Sequence, residues 1–278
     1  MTLSRAFWRA IETVHVPVYF APTTKSAYEA IGLKGYWMGY TASRSAALGT
    51  PSAPVVTALF HGFSPAIIER ALPSAWERAT PEEILSVRYE LARTTLGPAV
   101  DDADAMAVAR ELALLTRGLD FAGKPLAAAH VSTPAPTDPI GQLWHAATVI
   151  REYRGDCHIA ILTAAGLNGV TSNALAAAAG YVTSDQRQLR GWTEHQWQVA
   201  LDELVTRGWV DQDGAITPTG KAARAQIEDT TDRVCAAGID REATARGITV
   251  EEPLRAIARA IVATGAVVFP NPTGGQKP

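Results

Sequence analysis

The densest run of chemistry-bearing side chains in this sequence is Trp144-His145, followed by Arg151-Glu-Tyr-Arg-Gly-Asp-Cys-His158. Helical spacing puts His145 and Thr148 on one face, which Arg151 and Glu152 continue. Gly155 and Asp156 are expected to break that helix, so that Asp156 caps the next one and His158 sits in its first turn. A histidine at a helix start binds its proton less tightly and can act as a neutral base or ligand. His158 and Asp156 are therefore the candidate catalytic pair, a base with its orienting carboxylate. The competing reading is structural, with Glu152, Arg154 and Asp156 forming a salt-bridge and capping network.

A second cluster brings His15 and Tyr19 together with Tyr36-Trp37-Met38-Gly39-Tyr40, Arg44 and His61. Aromatic rings interleaved with one arginine and two histidines can line an apolar pocket that has a few polar anchors. Arg44, Tyr36 and Trp37 would hold the ligand, and His145 and Arg151 complete the candidate binding set. The same rings at helical spacing also make ordinary core. The separations of His15, His61, His145 and His158 fit no ligand spacing, so no metal or haem is expected, and no other cofactor. Motifs of the GxGxxG, P-loop, GxSxG and HExxH kinds are absent, which leaves turnover an open question.

The elements that must position these groups read as helices. Apolar residues at helical spacing cover Leu3 to Val16, Tyr36 to Leu48 and Ala53 to Phe60. Ser64-Pro65 and Thr80-Pro81-Glu82-Glu83 are N-terminal caps, starting helices to Leu72 and Leu96. Another helix spans Asp102 to Thr116. From Gly118 to Pro139 four prolines lie among small residues, which reads as a crossover and a domain boundary. Beyond it come helices over Ile140–Arg154, Ile159–Ala165, Ser172–Ala179 and Glu194–Arg207. Trp209 to Thr217 reads as a hairpin around Asp213-Gly214. Helices from Thr219 to Val234 and Glu251 to Ala263 follow, and then a Pro/Gly tail expected to be loose.

Composition sets outer bounds. The 278 residues carry a net charge of −3 and only two cysteines, Cys157 and Cys235. That excludes a disulfide framework and any global attraction to nucleic acid. With no signal-peptide core and no long apolar run, the reading is a cytoplasmic protein without a membrane partner.

From Ile159 to Val234 the order of helix, turn, helix, longer helix, Arg207-Gly-Trp-Val210, Asp-Gly hairpin and Thr217-Pro-Thr-Gly-Lys221 resembles the MarR-type winged helix. The resemblance implies a mainly α fold: a helical N-terminal domain (1–139) and a winged-helix domain with a small β-hairpin wing and C-terminal helix (140–278). Gly220 would let the last helix pack close to the wing. Yet between Gly191 and Thr230 three cations face seven carboxylates. The wing tip, Asp211-Gln-Asp-Gly214, is acidic where phosphates would need arginine. DNA is therefore not the expected partner.

Over Gly35-Tyr-Trp-Met-Gly-Tyr40, Arg44, Leu48-Gly49, residues 151–158, Arg190-Gly-Trp-Thr193, Asp213-Gly214 and Gly220, nearly the whole chain is similar to an actinobacterial family. That family carries a helix-turn-helix-like label and no settled activity. The family pattern has glycine at Cys157 and a histidine at Ser64, so neither position here carries a shared role. The leading reading is a small-molecule-binding protein, with a pocket between its halves and the winged helix as scaffold. It could belong to the enzymes of actinobacterial secondary metabolism. The alternatives are a MarR-like ligand-responsive transcription regulator and a non-catalytic sequestration or resistance protein. A homodimer through the terminal helices is compatible with all three.

Overall fold

Helix starts are set by side chains that take up the free amide groups of the first turn. Thr80 accepts from the Glu83 amide while Glu83 reaches back to the Thr80 amide, and Thr193 and Gln196 do the same. Asp101, Asp138, Asn168, Thr217 and Asp240 cap in the simpler one-way manner, each such cap contributing ~1 kcal/mol.

The computed structural model describes residues 2–278, and among them every regular element is a helix. In chain order these are α1 (Arg5–His15), α2 (Pro17–Phe20), α3 (Thr24–Ala30), α4 (Gly35–Ser45) and α5 (Ala53–Phe60). Then come α6 (Pro65–Ala71), α7 (Pro81–Leu96), α8 (Asp102–Thr116), α9 (Pro125–Val131) and α10 (Pro139–Ala164). The last five are α11 (Gly169–Ala178), α12 (Gln186–Leu189), α13 (Glu194–Thr206), α14 (Pro218–Ala237) and α15 (Arg241–Ala263).

The axis of the molecule is α10, 26 residues long, touching α1, α7, α8, α9 and α14. Its expected break at Gly155 does not occur. A mid-helix glycine costs roughly 1 kcal/mol, and burial of neighbours such as Tyr153, Cys157 and Leu162 outweighs that at about 1.5–3 kcal/mol per large side chain. The segment 118–139 holds α9, and α15 starts at Arg241, ten residues before the expected Glu251, with Pro253 inside it. No single helix is long and apolar enough to cross a membrane.

Two hydrophobic clusters form. The larger gathers α1 to α10 with parts of α14 and α15. The smaller joins the end of α10 to α11, α13 and the start of α14 through Leu162, Leu175, Leu204 and Ile227. Here the helix-turn-helix order appears in space, with α11 packed on α13.

The winged-helix, MarR-like expectation is overturned at this point, because no strand and no β-hairpin wing forms among the described residues. Residues 209–217 make one isolated bridge, between Val210 and Ile216. The cause is shortage of chain. The Trp209 and Val210 amides both turn back to the Leu204 carbonyl at the end of α13. Asp211 folds its own carboxylate onto the amides of Asp213 and Ala215, and Thr217 is already capping α14. Too few residues remain to pair as a ladder. Gly220 does pack as close as expected: a Cβ there would lie 2.0 Å from the Trp209 carbonyl oxygen.

Candidate functional site

The walls of a cavity of about 420 Å³ come from α1, α4, α10, α11, α14 and residues 60–63, 181–190 and 272–276. Arginine sets its character. Arg5, Arg9, Arg44, Arg151, Arg154, Arg190 and Arg224 line it, against the carboxylates of Glu12 and Glu228. Trp8, Tyr40, Phe60, Phe63 and Tyr181 supply its aromatic surface.

Most of these cations are held by named partners. Arg44 meets Glu152 through Nε and Nη2, both at 3.2 Å, and its guanidinium lies 4.4 Å over the Phe60 ring. Arg151 bonds Glu152 at 2.9 Å and Glu12 at 3.0 Å. Burial alone would push the Glu152 carboxyl up, but Arg151 and Arg44 hold it well below its usual range. Arg154 bridges Glu228 and Asp232, both at 2.9 Å, and Arg224 joins Glu228 at 3.4 Å. Arg190 differs. It has no carboxylate partner among the described residues. It donates to the Pro272 carbonyl and stacks 4.3 Å over Phe63, and burial lowers its proton affinity.

His158 lines the cavity, with Nδ1 3.0 Å from the Thr231 hydroxyl. That hydroxyl donates to the Ile227 carbonyl, so Nδ1 must be the donor and Nε2 keeps its lone pair. Burial pushes its pKa down to about 4, so the ring is neutral at pH 7. Asp156 is not beside it. Two residues apart on one helix, the side chains diverge, and Asp156 accepts from the Leu126 and Ala127 amides, both at 3.0 Å, capping α9. The structure does not bring this pair together.

Of the expected ligand-binding residues, Tyr40, Arg44, His61 and Arg151 line the cavity. Although burial pushes the Tyr40 phenol up, Arg44, Arg190 and Arg151 together draw it below its usual range. His61 donates from Nε2 to the Leu167 carbonyl at 3.2 Å and carries a positive φ of 30°. Its strained backbone lets the carbonyl approach Gly169, where a Cβ would lie 2.0 Å away. The Gly62 carbonyl accepts from Asn173 and Trp192, closing this loop onto α11.

The other five lie elsewhere. His15 is sealed in the core. Tyr19 accepts from Arg88 at 2.6 Å and is hydrogen-bonded to His15 Nε2 at 2.9 Å, while Nδ1 faces Thr148. The ring stacks on Trp144, and burial, then Arg151 and Arg88, keep it neutral. Tyr36 bonds the Tyr19 carbonyl and, with Trp37, backs Tyr40. His145 pairs with the Tyr89 hydroxyl at 2.8 Å. No cluster of three or more metal-ligating side chains occurs among the described residues.

Sequence reasoning missed Arg154, Arg190, Arg224, Trp8 and the 272–276 segment. Only the Arg224–Glu228 spacing of four carried a local signal. The tail, expected to be loose, buries Asn271 and gives its Pro272 carbonyl to Gln186 and Arg190.

On the helix-turn-helix side, α13 exposes Glu194, His195, Gln198, Val199 and Asp202. Gln198 is tied to Asp202 at 2.9 Å and Glu194 to Arg187 at 2.8 Å. A family model described as a helix-turn-helix family matches residues 4–268. No curated protein and no solved structure matches the chain.

Proposed function

The chain belongs to this helix-turn-helix family, and from that premise we propose that it is a small-molecule-binding protein whose ligand occupies the arginine-lined cavity. In this reading α11 forms part of one wall of the ligand site, and α13 packs behind it. The observation that carries it is the cavity itself, about 420 Å³ and lined from both hydrophobic clusters, a size that suits a small ligand. The face of α13 supports the same view. A helix entering the major groove needs cations for phosphates and donors for base edges, and this one presents carboxylates. If the protein turns its ligand over, the His158 Nε2 lone pair is the base available to it. A role in secondary metabolism or in sequestration would use the same cavity.

The second reading, a ligand-responsive regulator, is favoured by the family description and requires salt-dependent DNA binding. One pair of titrations separates the two. Tryptophan emission, read against a small-molecule set in wild type and Trp8→Phe, should report binding that loses its signal in the variant. A labelled mixed-sequence duplex should not bind even at low salt. Tight duplex binding that weakens steeply with salt would replace the first reading with the second.

A further inference from the structure

We propose that the ligand is an organic anion, its carboxylate or phosphate head bound by Arg190 and its flat apolar body lying against the aromatic walls. The proposal rests on reading the cavity as a ligand site, and it adds the ligand's charge and shape.

The argument starts from unmet hydrogen-bonding capacity. Arg154, Arg190 and Arg224 all line the cavity, and each has a buried Nε–H with no acceptor. Buried donors are nearly always satisfied. These Nε–H groups are themselves closed to solvent, as are those of Arg88 and Arg255 away from the cavity, so the donors that can meet a ligand are the terminal Nη groups. Arg154 and Arg224 already have carboxylates, so their charges are balanced. Arg190 is not balanced. Its polar partners are the Pro272 carbonyl and the Tyr40 phenol beside it, and a half-buried cation with no carboxylate partner is poorly compensated. The fold therefore spends stability to keep this guanidinium in the wall.

Guanidinium is the side-chain group best matched to a two-oxygen acceptor, through paired parallel hydrogen bonds to carboxylate or phosphate. The surrounding field has the same sign. Tyr40, in the same wall, is drawn toward its anionic form by three arginines. A cationic ligand or a divalent metal ion would be repelled. The cavity is also larger than a bare oxyanion, and Trp8, Phe60, Phe63 and Tyr181 give it ring faces. Arg154, Arg44, Arg190 and Arg224 stack on one side of these four rings, making flat, amphipathic surfaces that suit an unsaturated or aromatic body.

The test is calorimetry and thermal shift on the full chain with matched probes: phenyl phosphate, benzoate, inorganic phosphate, benzyl alcohol and benzylamine. At about 10 mM, phenyl phosphate or benzoate should raise the melting temperature by mass action, and benzyl alcohol and benzylamine should not. Whichever of the two aromatic anions binds more tightly identifies the head, and weaker binding of inorganic phosphate shows that the body contributes. Arg190→Gln should weaken the aromatic anion about ten- to hundredfold, the loss expected for a charge-assisted pair. Without ligand this variant should melt at or above the wild-type temperature, because a half-buried charge with no carboxylate partner has gone. Arg190→Lys, which keeps charge but not the fork, should bind at an intermediate level. Equal binding of benzyl alcohol and benzoate would overturn the anion proposal and leave the cavity reading standing. No binding by any probe would remove both. Anion binding unchanged in Arg190→Gln, or a lowered apo melting temperature with unchanged binding, would place the anion elsewhere and overturn the proposal.

Discussion

Arg44 and Glu152, 108 residues apart in sequence, meet edge to edge in the interior, with both hydrogen bonds at 3.2 Å. Glu152 is fully buried and also holds Arg151, so one carboxylate bridges two guanidiniums, from α4 and α10. Removing it strands Arg44 and leaves Arg151 with Glu12 alone. Glu152→Ala should lose about 3–5 kcal/mol, the range for breaking a buried pair from one side. Glu12, which is more exposed and holds Arg151 alone, should cost roughly 1 kcal/mol as Glu12→Gln. Urea midpoints at constant m-value measure both. Near-equal losses would mean that Glu152 does not organise the cluster.

Asp156 should make stability fall as pH rises. Burial pushes its carboxyl up to about 7, against the opposing pull of the Ala127 and Leu126 amides. The folded state therefore binds this proton more tightly than the unfolded state does. Its contribution is complete below about pH 4 and disappears as pH climbs through about 7. Asp156→Asn keeps an acceptor oxygen for α9 and removes the titration. The variant should gain on wild type across that window. A stability difference that stays flat from pH 4.5 to 8 would refute the assignment.

His130 and His158 pull the other way. Burial pushes them down to about 3 and about 4. The stability they protect is present above about pH 6.5 and is lost as pH falls toward those values. His130 is 2% exposed and its Nε2 has no partner, so His130→Leu removes both a cost and a titration. It should raise the melting temperature more at pH 5 than at pH 8. A larger gain at pH 8 would contradict the account.

Gly220 and Gly169 each sit where a Cβ would lie 2.0 Å from a backbone carbonyl oxygen, Trp209 and His61 respectively. Backbone cannot yield as a side-chain tip does, so alanine at either site should cost about 1–3 kcal/mol or more. The consequences should differ. Gly220→Ala loosens the 207–217 turn and should open it to limited proteolysis. Gly169→Ala pries the 61–63 loop from α11 and should lower ligand affinity in the cavity. Identical proteolysis and binding in the two variants would show that these contacts are not local.

The sequence by itself determined what depends on neighbours. Capping signals at Thr80 and Thr193 mark helix starts, because a cap is made within four residues. The acidic face of α13, the close packing at Gly220 and the mainly helical class follow from residue types at short spacing. What lies beyond one or two turns was decided by packing. Gly155 reads as a break, and α10 passes through it because buried side chains on both sides outweigh one glycine. Trp209 to Thr217 reads as a wing, and helix ends on both sides consume the chain that a ladder would need. Asp156 and His158 read as partners, and the continuous helix turns them apart. The cavity is the clearest case. Arg190, Arg154, Arg224 and Trp8 come from four separate segments, and only the tertiary fold brings them around one space. Five of its seven arginines find carboxylates in that fold, whereas the exposed Arg9 and the half-buried Arg190 find none among the described residues. That difference is a property of assembled geometry, because whether a charge is balanced depends on which distant segments fold against it.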